Sequence, residues 1–121
     1  YSNIDNSFDV VELAKAAGAT FVARTTTFHV NQLSDLIKAA IEHQGFSVVE
    51  IFTQCPTYFG RKNKLGDAPE MLQVFKERTV PVGSPKKAED PSLMERGIFV
   101  DIDRPEYCDE YQKLIKRAQE G

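Results

Sequence analysis

Residues 19–52 read ATFVARTTTFHVNQLSDLIKAAIEHQGFSVVEIF, and their pattern decides the architecture. "ATFVAR" (19–24) reads as a short buried strand, and "TTTFH" (25–29) as a polar turn. Leu33, Leu36, Ile37, Ala40 and Ile41 then fall at i, i+3, i+4, i+7 and i+8, one apolar stripe of a helix that stops at Gly45. "FSVVEIF" (46–52) is nearly continuous in apolar and β-branched residues, the composition of a strand covered on both faces in a parallel sheet. Strand, helix and strand with tight connections form a βαβ unit, which crosses over right-handed. The five stripe residues are expected to face the sheet.

Two parallel strands need neighbours, and outside this unit one further good strand is visible, "GIFVDI" (97–102). Upstream, residues 7–17 read as a helix capped by Asn6 or Ser7, with Phe8, Val11, Leu13, Ala14 and Ala17 as its apolar stripe and Gly18 as its stop. Downstream, "GRKNKLGD" (60–67) is a basic loop. Asp67 caps a helix that carries Pro69 in its first turn and runs to about Arg78. "PVGSPKKAEDPS" (81–92) holds three of the six prolines and reads as an exposed, mobile connection. A last helix spans about Pro105 to Gln119, with Tyr107, Tyr111, Leu114, Ile115 and Ala118 on one face. The class is α/β, a parallel-sheet βαβ unit with a C-terminal helical extension, divided at residues 1–57 and 58–121. The opening Tyr1-Ser2-Asn3-Ile4-Asp5 has the character of a mid-chain loop, so a piece of a larger α/β domain is expected.

Composition narrows the functional classes. A chain of 121 residues is at most one domain, and a net charge of −3 does not suggest a nucleic-acid partner. No apolar run reaches the roughly 20 residues of a membrane span, and no signal peptide is visible. Two cysteines make no disulfide framework, so a reducing, cytoplasmic setting is expected, with a Cys55–Cys108 bridge as the alternative.

The chemistry concentrates in "SVVEIFTQCPTYFGRKNK" (47–64). In a parallel sheet, ligands gather beyond the carboxyl ends of the strands. Cys55 lies three residues past the last apolar residue of a strand expected to be central, and Pro56 forces a sharp exit. A catalytic thiolate would want a His or Lys partner. A structural zinc site would want three more Cys or His ligands, where the chain has one other Cys and two His far apart in sequence. An iron–sulfur ligand would want further cysteines. A small buried apolar side chain is the plainest alternative.

"NIDNSFDVVELAKAAGATFVART" and "HVNQLSDLIKAAIEHQGFSVVEIFTQCPTYFGRKN" resemble the C-terminal half of the β subunit of 2-oxoacid:ferredoxin oxidoreductases, most of all the 2-oxoglutarate type. The likeness is strong to about residue 65 and looser beyond, and "QCPTYFGRKN" is its most specific part. It implies a place in the C-terminal part of a thiamin-diphosphate-binding α/β domain. These subunits decarboxylate a 2-oxoacid on thiamin diphosphate held by Mg²⁺. Electrons leave through 4Fe-4S clusters to ferredoxin, and the acyl group passes to coenzyme A. The implied partners are the α subunit, with γ and δ where present. By position Cys55 matches the fourth cysteine of the cluster set, the one in a C-P-T-like turn.

The chain departs from the family pattern in what it lacks. The thiamin motif is G-D-G followed further on by asparagine. Here Gly66-Asp67-Ala68 lacks the second glycine and precedes a helix, and no asparagine follows Asn63. The C-x-x-C of the cluster is absent too. The chain alone is therefore expected to be inactive. A non-catalytic α/β assembly or binding module of the same fold is the alternative, and a different thiamin enzyme sharing only the βαβ unit is a third reading.

Among the remaining residues, Arg61, Lys62 and Lys64 form a basic loop near Cys55. Of these Arg61 is the better candidate for a substrate carboxylate or coenzyme A phosphate, since guanidinium binds an oxyanion in a fixed fork. His29 follows the first strand and reads as a cap or solvent-facing side chain, with substrate contact as the alternative. His43 closes a helix, where positive charge is favourable. Cys108 shares a helical face with Tyr111 and Ile115 and reads as packing.

Overall fold

The computed structural model describes residues 4, 5 and 7–121. The chain runs α1 (Val10–Ala16), β1 (Phe21–Thr26), α2 (Val30–Glu42), β2 (Ser47–Phe52) and a π-helical turn (Pro56–Gly60) that passes into the short α3 (Arg61–Asn63). Beyond α3 come α4 (Ala68–Glu77), β3 (Thr79–Pro81), α5 (Pro85–Glu89), β4 (Met94–Asp101) and α6 (Tyr107–Glu120). One sheet has the order β2-β1-β4-β3. β1 and β2 pair in parallel from Phe21↔Ser47 to Thr26↔Phe52, as the βαβ unit requires. β4 joins β1 antiparallel, with an irregularity between Val22 and Ala23, and β3 pairs in parallel with β4. The sheet is α/β as expected, but mixed.

Alternation along β1 builds the two layers, because successive side chains leave a strand on opposite faces. Phe21 and Ala23 pack against Leu36, Ala39 and Ala40 of α2 and Val49 of β2. Val22 points the other way, into Val11 and Ala14 of α1, with Val48, Phe99 and Val100 closing that core. Burying each large aliphatic or aromatic side chain here contributes about 1.5–3 kcal/mol.

The starts of β1 and β2 are tied by a polar knot around Thr20. Its amide donates to the Phe46 carbonyl at 2.8 Å, and its hydroxyl accepts from the Phe46 amide at 3.0 Å. His43 Nε2 meets the same hydroxyl at 2.9 Å, and its Nδ1 lies 3.5 Å from Asp101 Oδ1 on β4. The His43 ring, packed on Phe21, thus belongs to the interior rather than to an exposed helix end. Gly45 makes the knot possible. It has φ +133°, and a Cβ there would strike the Thr20 hydroxyl.

On the α1 face the interior holds a charge. Arg24 Nε donates to Glu50 Oε2 at 2.6 Å and its Nη2 to Asp9 Oδ1 at 2.7 Å. The guanidinium also lies 5.8 Å from the Phe52 ring centre and 5.5 Å from that of Phe99. Asp9 is the cap of α1, accepting from the amides of Val11 and Glu12. The expected caps were Ser7 and Asn6; Asn6 lies outside the described residues. Asp9 prevails because the same oxygen serves both the helix and Arg24.

Several expectations are corrected. Of the α2 stripe, Leu36 is buried, but Ile37 is 40% and Ile41 78% exposed, because the sheet-facing arc turns toward Ala39 and Ala40. β2 is an edge strand in this chain and only half-buried, not central. Thr25 and Thr26 lie inside β1, fully buried, rather than in a turn. Residues 81–92 are not a featureless connection, since β3 ends at Pro81 and α5 fills 85–89. The apolar face of α6 is not covered: Tyr107 is 74%, Tyr111 50% and Leu114 54% exposed.

Two measurements check this packing. Leu36→Ala is expected to lower the unfolding free energy of the chain by about 2–5 kcal/mol, and Ile41→Ala by no more than about 0.5 kcal/mol. Equal losses in urea unfolding would reverse the assignment of the helix face. Arg24→Leu is expected to lose about 3 kcal/mol or more, because it strands Glu50 without a partner. Burial works to raise the Asp9 carboxyl, but the Glu12 amide and the Arg24 charge outweigh it and hold the group below its usual range. Its contribution is complete above the unfolded carboxylate value of about 3.9 and fades as pH falls through the lower folded value. Asp9→Asn is therefore expected to flatten the acid limb of the stability profile.

Candidate functional site

β1 and β2 end level with each other, so the segments after Thr26 and Phe52 leave the sheet side by side. The Thr27 amide donates to the Phe52 carbonyl at 2.9 Å, and the Thr27 hydroxyl to Gln54 Oε1 at 2.8 Å. These bonds hold the strand that leads to Cys55 against the β1 exit.

Cys55 itself, extended at φ −125°, opens the π-helical turn, with Pro56 in the first position. Its carbonyl accepts from the Gly60 amide at 2.8 Å, which closes the wide turn. Gly60 is buried against α4, where a Cβ would come within 2.6 Å of Met71 Sδ. The loop then continues as α3, and the Asn63 side-chain amide donates back to the Phe59 carbonyl at 2.9 Å. Beneath it lies a cavity of about 380 Å³ lined by Phe52, Phe59, Met71, Val74 and Phe75, with Cys55 and Gln54 contributing to its wall.

The thiol is exposed, not a core side chain as in the plainest alternative. The amides of Phe59 and then Tyr58, with the Thr57 hydroxyl, lower its pKa. Thr57 Oγ1 stands 4.0 Å from Sγ. A turn that aims amides at sulfur stabilises the thiolate, the form that ligates a metal. Cys108 is also exposed, against the expectation of packing, but its pKa is raised by the Glu106 carboxylate beside it. Both thiols are free, so no Cys55–Cys108 bridge is formed.

Arg61, Lys62 and Lys64 are exposed on the same loop. No carboxylate among the described residues pairs with any of them. His29 is the cap of α2, with Nδ1 at 2.9 Å from the Thr26 hydroxyl. Burial and then the nearby Arg96 lower its pKa. Arg96 is a residue that sequence reasoning does not single out. Its Nη1 donates to Gln32 Oε1 at 2.9 Å across 64 residues.

Residues 1–51 match the family model described as thiamine pyrophosphate enzyme, C-terminal TPP binding domain. Subunit KorB of 2-oxoglutarate synthase from Methanocaldococcus jannaschii is 39% identical over 98% of this chain and 45% of its own length. The β subunit of 2-oxoacid:ferredoxin oxidoreductase 2 from Aeropyrum pernix is 48% identical over 46% of this chain and 18% of its own length. The chain is a relative of the 2-oxoacid:ferredoxin oxidoreductase β subunits. A solved 2-oxoglutarate:ferredoxin oxidoreductase from Magnetococcus marinus, with 2-oxoglutarate, coenzyme A and succinyl-CoA bound, shares the fold. Its TM-score is 0.78 at 22% identity, over 98% of this chain and 42% of that one. The chain thus spans less than half the length of the relatives it matches along its whole extent.

The cofactors of 2-oxoacid:ferredoxin oxidoreductases fit these residues unequally. Thiamin diphosphate and Mg²⁺ do not fit the Gly66-Asp67 pair. Asp67 Oδ1 accepts from the Glu70 amide at 3.0 Å while Glu70 Oε2 accepts from the Asp67 amide at 2.8 Å, a closed capping box of α4. Among the described residues no three His, Cys, Asp or Glu side chains converge to hold a metal. Cys55, exposed and with its thiol pKa lowered, is suited to ligate a metal as a thiolate, but one thiol by itself does not make a 4Fe-4S site.

The two thiols provide a direct check. With limiting iodoacetamide near neutral pH, Cys55 is expected to alkylate ahead of Cys108, because its thiolate is the more accessible form. Peptide mass spectrometry reads the order, and faster modification of Cys108 would contradict the role given to the π-helical turn.

Proposed function

We infer that this chain is the C-terminal part of the β subunit of a 2-oxoglutarate-type 2-oxoacid:ferredoxin oxidoreductase. The complete enzyme carries out oxidative decarboxylation of a 2-oxoacid to an acyl-CoA and reduces ferredoxin. Residues 1–57 belong to the thiamin-diphosphate-binding domain and 58–121 to its extension. One observation carries the reading: in a relative of these subunits, the cysteine at the carboxyl end of the sheet is exposed and has its thiol pKa lowered by the amides of its own turn. Cys55 is one of the four thiolates of a 4Fe-4S cluster in the complete subunit, and Arg61 takes an anionic group of the 2-oxoacid or of coenzyme A. The thiamin diphosphate and Mg²⁺ ligands lie in the part of the subunit outside this chain. The partners are the α subunit, with γ and δ where they occur, and ferredoxin. No helix of the described residues is long and apolar enough to cross a membrane, and the proposed setting is the cytoplasm.

Anaerobic reconstitution of this chain alone with iron and sulfide is expected to yield no stoichiometric chromophore near ~400 nm, because one thiolate cannot hold a four-iron cluster. In the complete subunit, Cys55→Ser is expected to lower iron content and ferredoxin reduction while thiamin diphosphate still binds, since a hydroxyl is a harder and less readily deprotonated ligand. Cys108→Ser is expected to change neither. Equal iron loss from both variants, or none from Cys55→Ser, would remove Cys55 from the cluster.

A further inference from the structure

α6 stands off from the body of the fold. Of its 14 residues Ile115 alone is half-buried, and residues 102–105, which lead into it, are exposed throughout. A helix of this length gains little stability in water by itself and ordinarily forms because one of its faces is packed. Its apolar face is nevertheless well formed. Tyr107, Tyr111, Leu114, Ile115 and Ala118 share it, and the Tyr107 and Tyr111 rings stack at 5.9 Å with 10° between their planes. Contiguous tyrosine surface of this kind belongs to interface centres rather than to solvated helix faces.

The charges beside that face point to what covers it. Glu110 and Arg117 lie two turns apart on the same flank, and with Tyr107, Tyr111 and Leu114 they line one open groove. More widely, Glu106, Asp109 and Glu110 precede the helix centre, and Lys113, Lys116 and Arg117 follow it. When two such helices pack antiparallel about a two-fold axis, each flank meets the same flank of its partner with direction reversed. With Tyr111 of one copy opposite Leu114 of the other, Glu110 falls beside the second copy's Arg117, and the reciprocal pair forms as well. A parallel pair would instead set Glu110 against Glu110. Within its own chain Glu110 is met by Lys113 at 2.6 Å, and Arg117 has no carboxylate partner among the described residues. An unlike partner would need no such self-complementarity.

We propose that α6 is a self-association surface, on which a second copy of this chain docks antiparallel through Tyr107, Tyr111 and Leu114, with Glu110 and Arg117 closing the flank. The helix is about 21 Å long at 1.5 Å per residue, so the contact is smaller than a standard interface and its affinity modest. Pairing does not depend on whether Cys55 ligates a metal.

Sedimentation equilibrium of the 121-residue chain measures the pairing, with circular dichroism showing that each variant keeps its fold. A concentration-dependent dimer is expected. Leu114→Glu is expected to weaken it by about tenfold or more, because a charge is then buried at the centre of the contact. Glu110→Arg and Arg117→Glu are each expected to weaken it by about tenfold, since each turns two attractive pairs into two repulsive ones. The double variant, Glu110→Arg with Arg117→Glu, is expected to recover the original affinity to within about threefold, because both pairs re-form with their signs exchanged. A chain that stays monomeric up to ~1 mM overturns the proposal and leaves the face to an unlike partner. A dimer indifferent to Leu114→Glu overturns it too, as does loss in both single charge variants without recovery in the double. Should Leu114→Glu unfold, the charge-exchange series decides the matter, because its members leave the apolar face intact.

Discussion

Arg24 and Glu50 are register partners across the parallel β1–β2 pair, and their side chains meet at 2.6 Å. Register in a sheet has a period of two, so a slip by one residue would send every core side chain to the wrong face. Here a slip would also break an ion pair shielded from water, with Arg24 only 11% and Glu50 16% exposed. The same guanidinium holds Asp9, and Asp9 caps α1, so strand alignment and helix position are settled by one group. A charge in the interior is tolerated only when its donors are used. Arg24 uses them on β2 and on the cap of α1, and its flat face covers two phenylalanine rings.

The geometry of the site depends on this register. With Thr26 opposite Phe52, the two exits emerge level, and the Thr27–Gln54 hydrogen bond can form. Cys55 is then delivered to the carboxyl end of the sheet, where the π-helical turn and the contact of Gly60 with Met71 fix its direction. The opposite face of the same end receives Arg96 from β4. Two chemically distinct side chains, a thiol whose pKa is lowered by the amides of its turn and an arginine hydrogen-bonded to Gln32, thus lie at one end of one sheet.

Local patterns were legible wherever a short-range rule was sufficient. The βαβ unit was visible because strand and helix periodicities differ over residues 19–52. The α4 start was visible because Asp67 and Glu70 close a capping box within four residues. The departure of Cys55 from the sheet was visible because Pro56 cannot continue a strand. The resemblance carried by "QCPTYFGRKN" led to the family that the relatives now support. Failures came where a pattern is necessary but not sufficient. Ile41 and Tyr111 sit at correct helical spacings, yet a stripe states only that a face is apolar and does not name the surface that covers it.

By itself, then, the sequence determined the order of the central elements, the crossover helix, the capping of α4 and the exit of the chain from β2 before Pro56. Only the tertiary structure decided that β4 runs antiparallel beside β1, that β2 lies at the edge, and that His43, Thr20 and Gly45 form an interior knot. It also decided that Arg96 meets Gln32 across 64 residues. The reason is physical. Propensity and capping act within a few residues, whereas pairing of buried charge and choice of strand neighbour depend on groups brought together only when the whole sheet closes.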